Sequence, residues 1–358
     1  MSCFKKGLSL SAALLAGALL LTACGGAPAS SASSVPASSV ASSETAEQPE
    51  EPAMKYTQTP TVPTETYKEE ADFADFLSKA EPGLVIPGLA ENLIPQGMDQ
   101  CDETGILYIS GYYTTDGKSS AILAVDTATG ELTAEYILLN AGGTPFDGHV
   151  GCAIPLKDLP AEGSHEVKLE QTIPVPVSPS FLSCSHGYLW VGNFYHPGAD
   201  YPLSDGMKYT TASADGEDYG CYIMGYDLSK GSLSVADGDD YAQPDVVLVG
   251  PNKIQGVVAG EDDTVTLSQS YGRKNNASLL HYSLALGETL DTMLTVQGRD
   301  VPGYILDSKR LKESVTAMPM TEALADAKDG GIYVLFESGA IHYANGLFRT
   351  DHVWKIKF

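Results

Sequence analysis

The chain has 358 residues, with 46 acidic against 21 basic side chains and a formal charge of −25. A surface this acidic repels a phosphate backbone, so nucleic acid is excluded as a partner. Outside the N-terminal segment four cysteines remain, Cys101, Cys152, Cys184 and Cys221; they show no Cys-x-x-Cys or Cys/His spacing, so no metal site is expected and no disulfide pairing can be assigned.

Lys5 and Lys6 precede an apolar run from Leu8 to Leu21, and Leu21-Thr22-Ala23-Cys24 closes it. A charged start, an apolar run and a small-residue end form an export signal. The run is shorter than the roughly 20 residues that span a bilayer. The closing tetrapeptide resembles a bacterial lipobox, which implies cleavage before Cys24 and a lipid anchor on its thiol. Residues 1–23 are therefore expected to be a lipoprotein signal peptide, and the protein an exported lipoprotein of the cell membrane, facing away from the cytoplasm. Their removal takes away two lysines and no acids, moving the charge to −27.

Residues 24–63 are mostly Ser, Ala, Pro, Thr and Glu. Such a segment cannot bury enough apolar surface to offset its ordering entropy, so a disordered stalk is expected. Residues 64–82 read as a short helix and linker, with Phe73, Phe76, Leu77 and Ala80 on one face and Pro82-Gly83 as the stop.

Residues 83–358 are long enough for one all-β domain with a sizeable core. Four stretches repeat one layout: a polar strand start, a Tyr- or Trp-rich second strand, a polar loop and a third strand. They begin near Gln96, Ser180, Gln255 and Glu322. A poorer copy starts at Gly148-His149-Val150, only 31 residues before Ser180, against spacings of 53, 75 and 67 elsewhere. Self-similar units of this length with no interleaved helices predict a single β-propeller of about five blades. The last unit ends after its third strand at Phe358, and Leu84-Val85-Ile86 is expected to supply the missing outer strand and close the ring.

Gly-Tyr-Leu-Trp-Val at 187–191 and Asp-Thr-Ala-Thr-Gly-Glu-Leu at 126–132 resemble blades of the bacterial surface propellers that include lactonase-like, NHL-like and SMP-30-like proteins. His-Val-Gly at 149–151, Ser-Gln-Ser-Tyr-Gly-Arg at 268–273 and Leu-Phe-Glu-Ser-Gly-Ala at 335–340 are similar to motifs in lipoprotein-type members without an assigned activity. The resemblance covers nearly the whole domain. It implies the fold and no particular reaction, because propellers host many unrelated functions.

In a propeller the innermost strand starts and the loops between second and third strands meet at one mouth of the channel. A concave mouth with converging polar groups is where a ligand is expected. The strand starts bring Gln96, His149, Ser180, Gln255 and Glu322; the loops bring Tyr112, Tyr113, Asn193, Tyr195, Ser268, Gln269, Tyr271, Arg273 and Glu337. The expected ligand-binding set is Gln96, Tyr112, Tyr113, Asn193, Tyr195, Gln255, Ser268, Gln269, Tyr271, Arg273 and Glu337. Each also has a plain structural role open to it, since buried polar groups pair with backbone. The long loop from Pro197 to Gly220 could cover the mouth.

Three functions fit these residues. The first is binding of a small polar, carbohydrate-like ligand by a monomer. The second is a hydrolase or lyase in which His149 or Glu322 is the base and Arg273 stabilises developing charge. The third is an envelope interaction scaffold. No motif specifies a cofactor.

Overall fold

The computed structural model describes residues 53–101, 104–115, 117–147, 159–198, 207–231, 233–286 and 290–358. Cys24, the signal, most of the stalk, His149 and Cys152 lie outside them. Among the described residues, no helix is long and apolar enough to cross a membrane.

The predicted helix forms as two 3-10 turns, Thr66–Glu69 and Ala71–Phe73, followed by α1 (Ala74–Lys79). Its apolar face is buried as the spacing requires: Phe73 and Phe76 have no exposed surface, and Leu77 and Ala80 pack beside them. Strand β1 (Ala80–Val85) continues directly from it.

The first blade contains β2 (Ile94–Cys101), β3 (Ile106–Tyr112), β4 (Ala121–Asp126), β5 (Leu132–Asn140) and β6 (Gly163–Leu169), in that spatial order. Strict alternation of half-buried and buried residues along Ile106–Tyr112 marks a strand packed between neighbours. The Asp126 carboxylate accepts from the backbone N–H groups of Ala128 and Thr129, and Gly130 takes φ 76°, so the turn after β4 follows from its residues.

The second blade has β7 (Phe181–Ser185), β8 (Tyr188–Gly192), β11 (Cys221–Asp227) and β12 (Val246–Gly250), with a small hairpin of β9 (Thr211–Ala212) and β10 (Asp218–Tyr219) inserted after β8. His186 and Gly187 both take positive φ, the pairing that a tight right-twisting hairpin needs. The third blade has β13 (Ile254–Gly260), β14 (Thr264–Gln269), β15 (Ala277–Ser283) and β18 (Leu311–Ala317). Between its last two strands a hairpin, β16 (Thr292–Val296) and β17 (Arg299–Ile305), leaves the blade and adds to the outer edge of the second, with β17 parallel to β12. The fourth blade has β19 (Thr321–Asp326), β20 (Ile332–Phe336) and β21 (His352–Ile356).

Its outer strand is β1, antiparallel to β21, as the unpaired end of the last repeat requires. The ring is thus fastened by pairing the two ends of the domain. Residues 55–62, read as stalk from composition, reinforce that fastening. The backbone N–H groups of Lys55 and Tyr56 donate to the buried Glu135 carboxylate in the first blade, and those of Thr61 and Val62 donate to Asp351 in the fourth. Between them the Gln58 amide donates to the carbonyls of Val85 and Gly130. Composition hides this, because the strap is held by side-chain-to-backbone bonds and by one buried ring, Tyr56, which packs with Leu93, Leu123 and Ile137.

The strand pairing is a β-propeller arrangement of four blades, not about five. The stretch read as a poor second repeat contributes β6, a fifth strand parallel to β5 of the first blade. Its 31 residues are too few for four strands of ordinary length with their turns. Strands β2, β7, β13 and β19 are the innermost of each sheet and lie next to one another around the axis. Apolar wedges fill the spaces between blades; one joins Trp190, Phe181 and Val257, another joins α1 to Leu279, Phe336 and Trp354. The approach is closest where a Cβ on Gly256 would lie 2.7 Å from the Glu322 carbonyl oxygen of the adjacent blade, so this strand start must be glycine.

Candidate functional site

Pairing along the innermost strands breaks at the polar positions singled out in the sequence. In the first blade Pro95 pairs with Gly111 and Gly97 with Ser110, so Gln96 is skipped. In the third, Ile254 pairs with Gln269 and Gly256 with Ser268, so Gln255 is skipped. In the fourth, register shifts between Thr321 and Leu324, around Glu322. A bulge leaves a residue outside the ladder and re-aims its side chain. The second blade pairs without a break from Phe181 to Ser185.

The re-aimed glutamines meet two acids of the fourth blade, Glu322 and Glu337, the second of which follows β20. The Gln96 amide donates to Glu337 Oε2 at 3.0 Å, and the Gln255 amide donates to Glu322 Oε1 at 3.4 Å. Both carboxyls belong to the fourth blade, and the amides arrive from its neighbours on either side. Tyr343, on the 3-10 turn Ile341–Tyr343, bonds Glu337 through its hydroxyl. Arg273, on the exposed turn after β14, places its guanidinium carbon 4.7 Å from the centre of the Tyr343 ring and acts on the Glu337 charge.

The loop carrying Glu337 is firmly held. Glu337 N–H donates to Met320 O, the Ser338 hydroxyl accepts from Thr350 N–H, and the Arg349 guanidinium donates to the carbonyls of Ser338, Gly339 and Ala340.

Burial disfavours the charged form of both acids. It pushes Glu337 up to about 7, against the opposing pull of the Tyr343 hydroxyl, Arg273 and the Gln96 amide. Glu322 is 3% exposed and is driven well above the carboxylate range by burial and then by the charge on Glu337. Near neutral pH burial therefore favours the protonated form of both carboxyls. Tyr343 is also raised, first by burial and then by Glu337, and stays a neutral donor.

Other expected site residues have structural roles. Asn193 is buried, its amide donating to Gly220 O and its carbonyl oxygen accepting from Tyr222 N–H. The Ser268 hydroxyl donates to the Glu322 backbone carbonyl, and the Gln269 amide to Asn252 O. Tyr113 points away from the mouth, its hydroxyl donating to Tyr56. Tyr195 covers Gly220, where any side chain would strike its ring. Tyr112 packs near Tyr343 on the inner side, and Tyr271 lies tilted against His196 with ring centres 4.4 Å apart. Of the Pro197–Gly220 loop, Tyr209 lies against Tyr222 and Ala214 N–H donates to Asp307, so this part rests on the flank of the blades.

The structure therefore brings together Gln96, Gln255, Glu322, Glu337 and Arg273, with Tyr112 close by. Tyr343 was missed in the sequence because it lies in a connection with no counterpart in the other repeats; an aromatic residue six positions after Glu337 was the available signal. Three residues farther along β2 from Gln96, the Asp99 carboxyl accepts from the N–H groups of Gln100 and Cys184 and is pushed up to about 7 by burial. Burial also raises the Cys184 thiol, followed by the Asp99 charge, which makes it a poor nucleophile.

Fold and site define a four-bladed propeller arrangement with a carboxyl pair at one mouth. No protein-family model matches the chain, and no curated protein matches it. Among solved structures it is similar to a PQQ-bound aldose sugar dehydrogenase from Streptomyces coelicolor, at 12% identity and a TM-score of 0.40, over 78% of this chain and 97% of that one. It is also similar to a GH43_1 enzyme from Xanthomonas citri complexed with xylose, at 12% identity and a TM-score of 0.29, over 80% and 92%. A third is hydrazine synthase from Kuenenia stuttgartiensis, at 12% identity and a TM-score of 0.23, over 67% and 55%.

Proposed function

We propose that the protein is an exported propeller, tethered to the membrane through Cys24, that binds a small polar, hydroxyl-bearing ligand at the mouth formed by Glu322 and Glu337. One observation carries the binding reading. A buried and a half-buried carboxyl on one blade, Glu322 and Glu337, are faced by amides that bulges in the two flanking blades have turned toward them. Ladder breaks at matching positions cost backbone hydrogen bonds, and proteins concentrate such costs at functional sites. A protonated carboxyl can donate to a hydroxyl and also accept from one, so the pair suits a hydroxyl-bearing ligand.

The test is calorimetry against a panel of neutral saccharides and polyols. Gln255→Ala and Glu322→Gln should each weaken a bound compound by about tenfold, as expected for one buried hydrogen bond to a charged or polar partner. Unchanged affinity in both variants would remove this site. The tether is tested separately: Cys24→Ser should abolish lipid labelling and release the protein from the membrane, and continued labelling would end that reading.

A catalytic reading, as a hydrolase or lyase, draws on Glu337 standing near 7 beside Arg273, because a general acid or base works best when its pKa is near the ambient pH. His149 lies outside the described residues and adds nothing to it. In the calorimetric experiment, catalysis would appear as turnover of the bound compound.

A further inference from the structure

Resting on that binding reading, the geometry points to a ligand carrying a protonated amine: we propose that the mouth takes an aminopolyol or amino sugar, its ammonium seated between Glu322 and Glu337. Three observations lead there. Glu322 is almost wholly buried, yet its one hydrogen bond from the described residues is the 3.4 Å contact from Gln255 to Oε1. Its other carboxyl oxygen accepts none from them. Glu337 is served differently, by the Gln96 amide, the Tyr343 hydroxyl and the Arg273 charge. The pair therefore has donors crowded on one carboxyl and scarce on the other.

The second observation is Arg273. Its guanidinium lies over the Tyr343 ring, so this chain already places a cation against that aromatic face and beside Glu337. Arg273 is exposed and sits on a turn next to Gly272 (φ 82°). It marks the ring as a surface that accepts positive charge, because the negative face of an aromatic ring attracts a cation by about 0.5–2 kcal/mol. Among the described residues no cation acts on Glu322, which is raised first by burial and then by the Glu337 charge.

Third, the chain carries a formal charge of −25 and draws cations toward an acidic mouth. A neutral hydroxyl brings one donor and no charge, leaving the carboxyls protonated. An ammonium brings three donors and a full charge, so it can bond the open oxygen of Glu322 while offsetting Glu337. It takes the place of a carboxyl proton, which passes to the buffer. The charged and titratable groups facing the pair are Arg273 from the third blade, Tyr112 from the first and Tyr343 from the fourth. Burial and the Glu337 charge raise Tyr343 and keep it neutral near pH 7, leaving the carboxyl pair as the source of the released proton.

The test compares glucamine with sorbitol, two chains of matched shape in which one hydroxyl is replaced by an ammonium. Glucamine should bind the full protein at least about tenfold more tightly than sorbitol, roughly the value of one partly desolvated charge pair. Near pH 7 its binding enthalpy should vary between buffers of different ionisation heat, reporting about one proton released per ligand. Glu322→Gln should lose glucamine binding and with it the proton release, and Glu337→Gln should weaken the binding. Arg273→Ala, a surface change that leaves the fold intact, should bind glucamine at least as well, because a competing cation has gone. Equal binding of sorbitol with no proton release would overturn the ammonium while leaving hydroxyl binding in place. No response to glucamine at millimolar concentration would also overturn it, and the neutral panel would then decide separately whether the mouth binds anything. Loss of glucamine binding in Arg273→Ala would assign the arginine to the ligand and likewise reject the proposal.

Discussion

Phe76→Ala is expected to destabilise the protein by about 3–5 kcal/mol, the range for removing a buried ring that its surroundings cannot refill. The unfolding midpoint should fall by roughly 10 °C for a domain of this size. Phe76 has no exposed surface and packs against Phe336 with ring centres 6.2 Å apart and against Trp354 at 5.4 Å. The effect should exceed that of a typical core truncation because of what α1 holds. It wedges between the third and fourth blades and leads directly into β1, which completes the fourth blade along β21. Loosening the wedge frees the strand that fastens the ring. Denaturant melts read this directly; a loss under 1 kcal/mol would show that the pairing of β1 with β21 holds without the helix.

Raising the pH should destabilise the wild-type protein relative to Glu337→Gln, with the difference developing between about pH 4.5 and 7. The sign follows from burial. Below the ordinary carboxylate value of 4.5 the group is protonated whether the chain is folded or not, so the amide and the acid should be close to equal. As pH rises, the unfolded chain loses the proton first, while the folded one keeps it up to about 7. Folded protein then binds more protons than unfolded, and stability falls. Above pH 7 the deficit is constant. The full shift corresponds to about 3 kcal/mol, and solvent access to this half-buried group reduces it toward 1. The variant should therefore melt several degrees higher at pH 8 and at a similar temperature at pH 4. Parallel melting profiles across that range would mean that Glu337 ionises freely in the folded protein.

Much of the chain was legible as pattern. The apolar face of α1, the turn at Asp126–Gly130, the Tyr- and Trp-rich second strands and the need for a closing strand near Val85 all follow from side-chain spacing, which reports on neighbours a few residues away. The five-blade count did not survive, because the described part of the short stretch before Ser180, which looks like a weak blade in sequence, is an added edge strand of the first blade in three dimensions. The strap at 55–62 was hidden for a related reason: Gln58 and Asp351 organise it through backbone bonds, which leave no mark on composition.

The candidate site divides in the same way. Gln96, Gln255 and Glu322 stood out because each begins an innermost strand with a polar residue where an apolar or small one is usual. Their bulges could not be read, since register depends on the partner strand. Asn193, Ser268 and Gln269 have the same residue chemistry, yet satisfy backbone groups between blades. Tyr343 reaches Glu337 only because Arg349 grips the intervening loop through three carbonyls.

The sequence by itself therefore determined that residues 83–358 form repeated β units, which strand starts are polar and which segment completes the last unit. These depend on local periodicity and on counting strands. Only the tertiary structure decided that there are four blades, and that the glutamines of two of them turn toward the carboxyls of a third. That outcome rests on contacts between residues as far apart as Gln96 and Glu337, where packing of neighbouring blades, not local preference, sets which polar side chains meet.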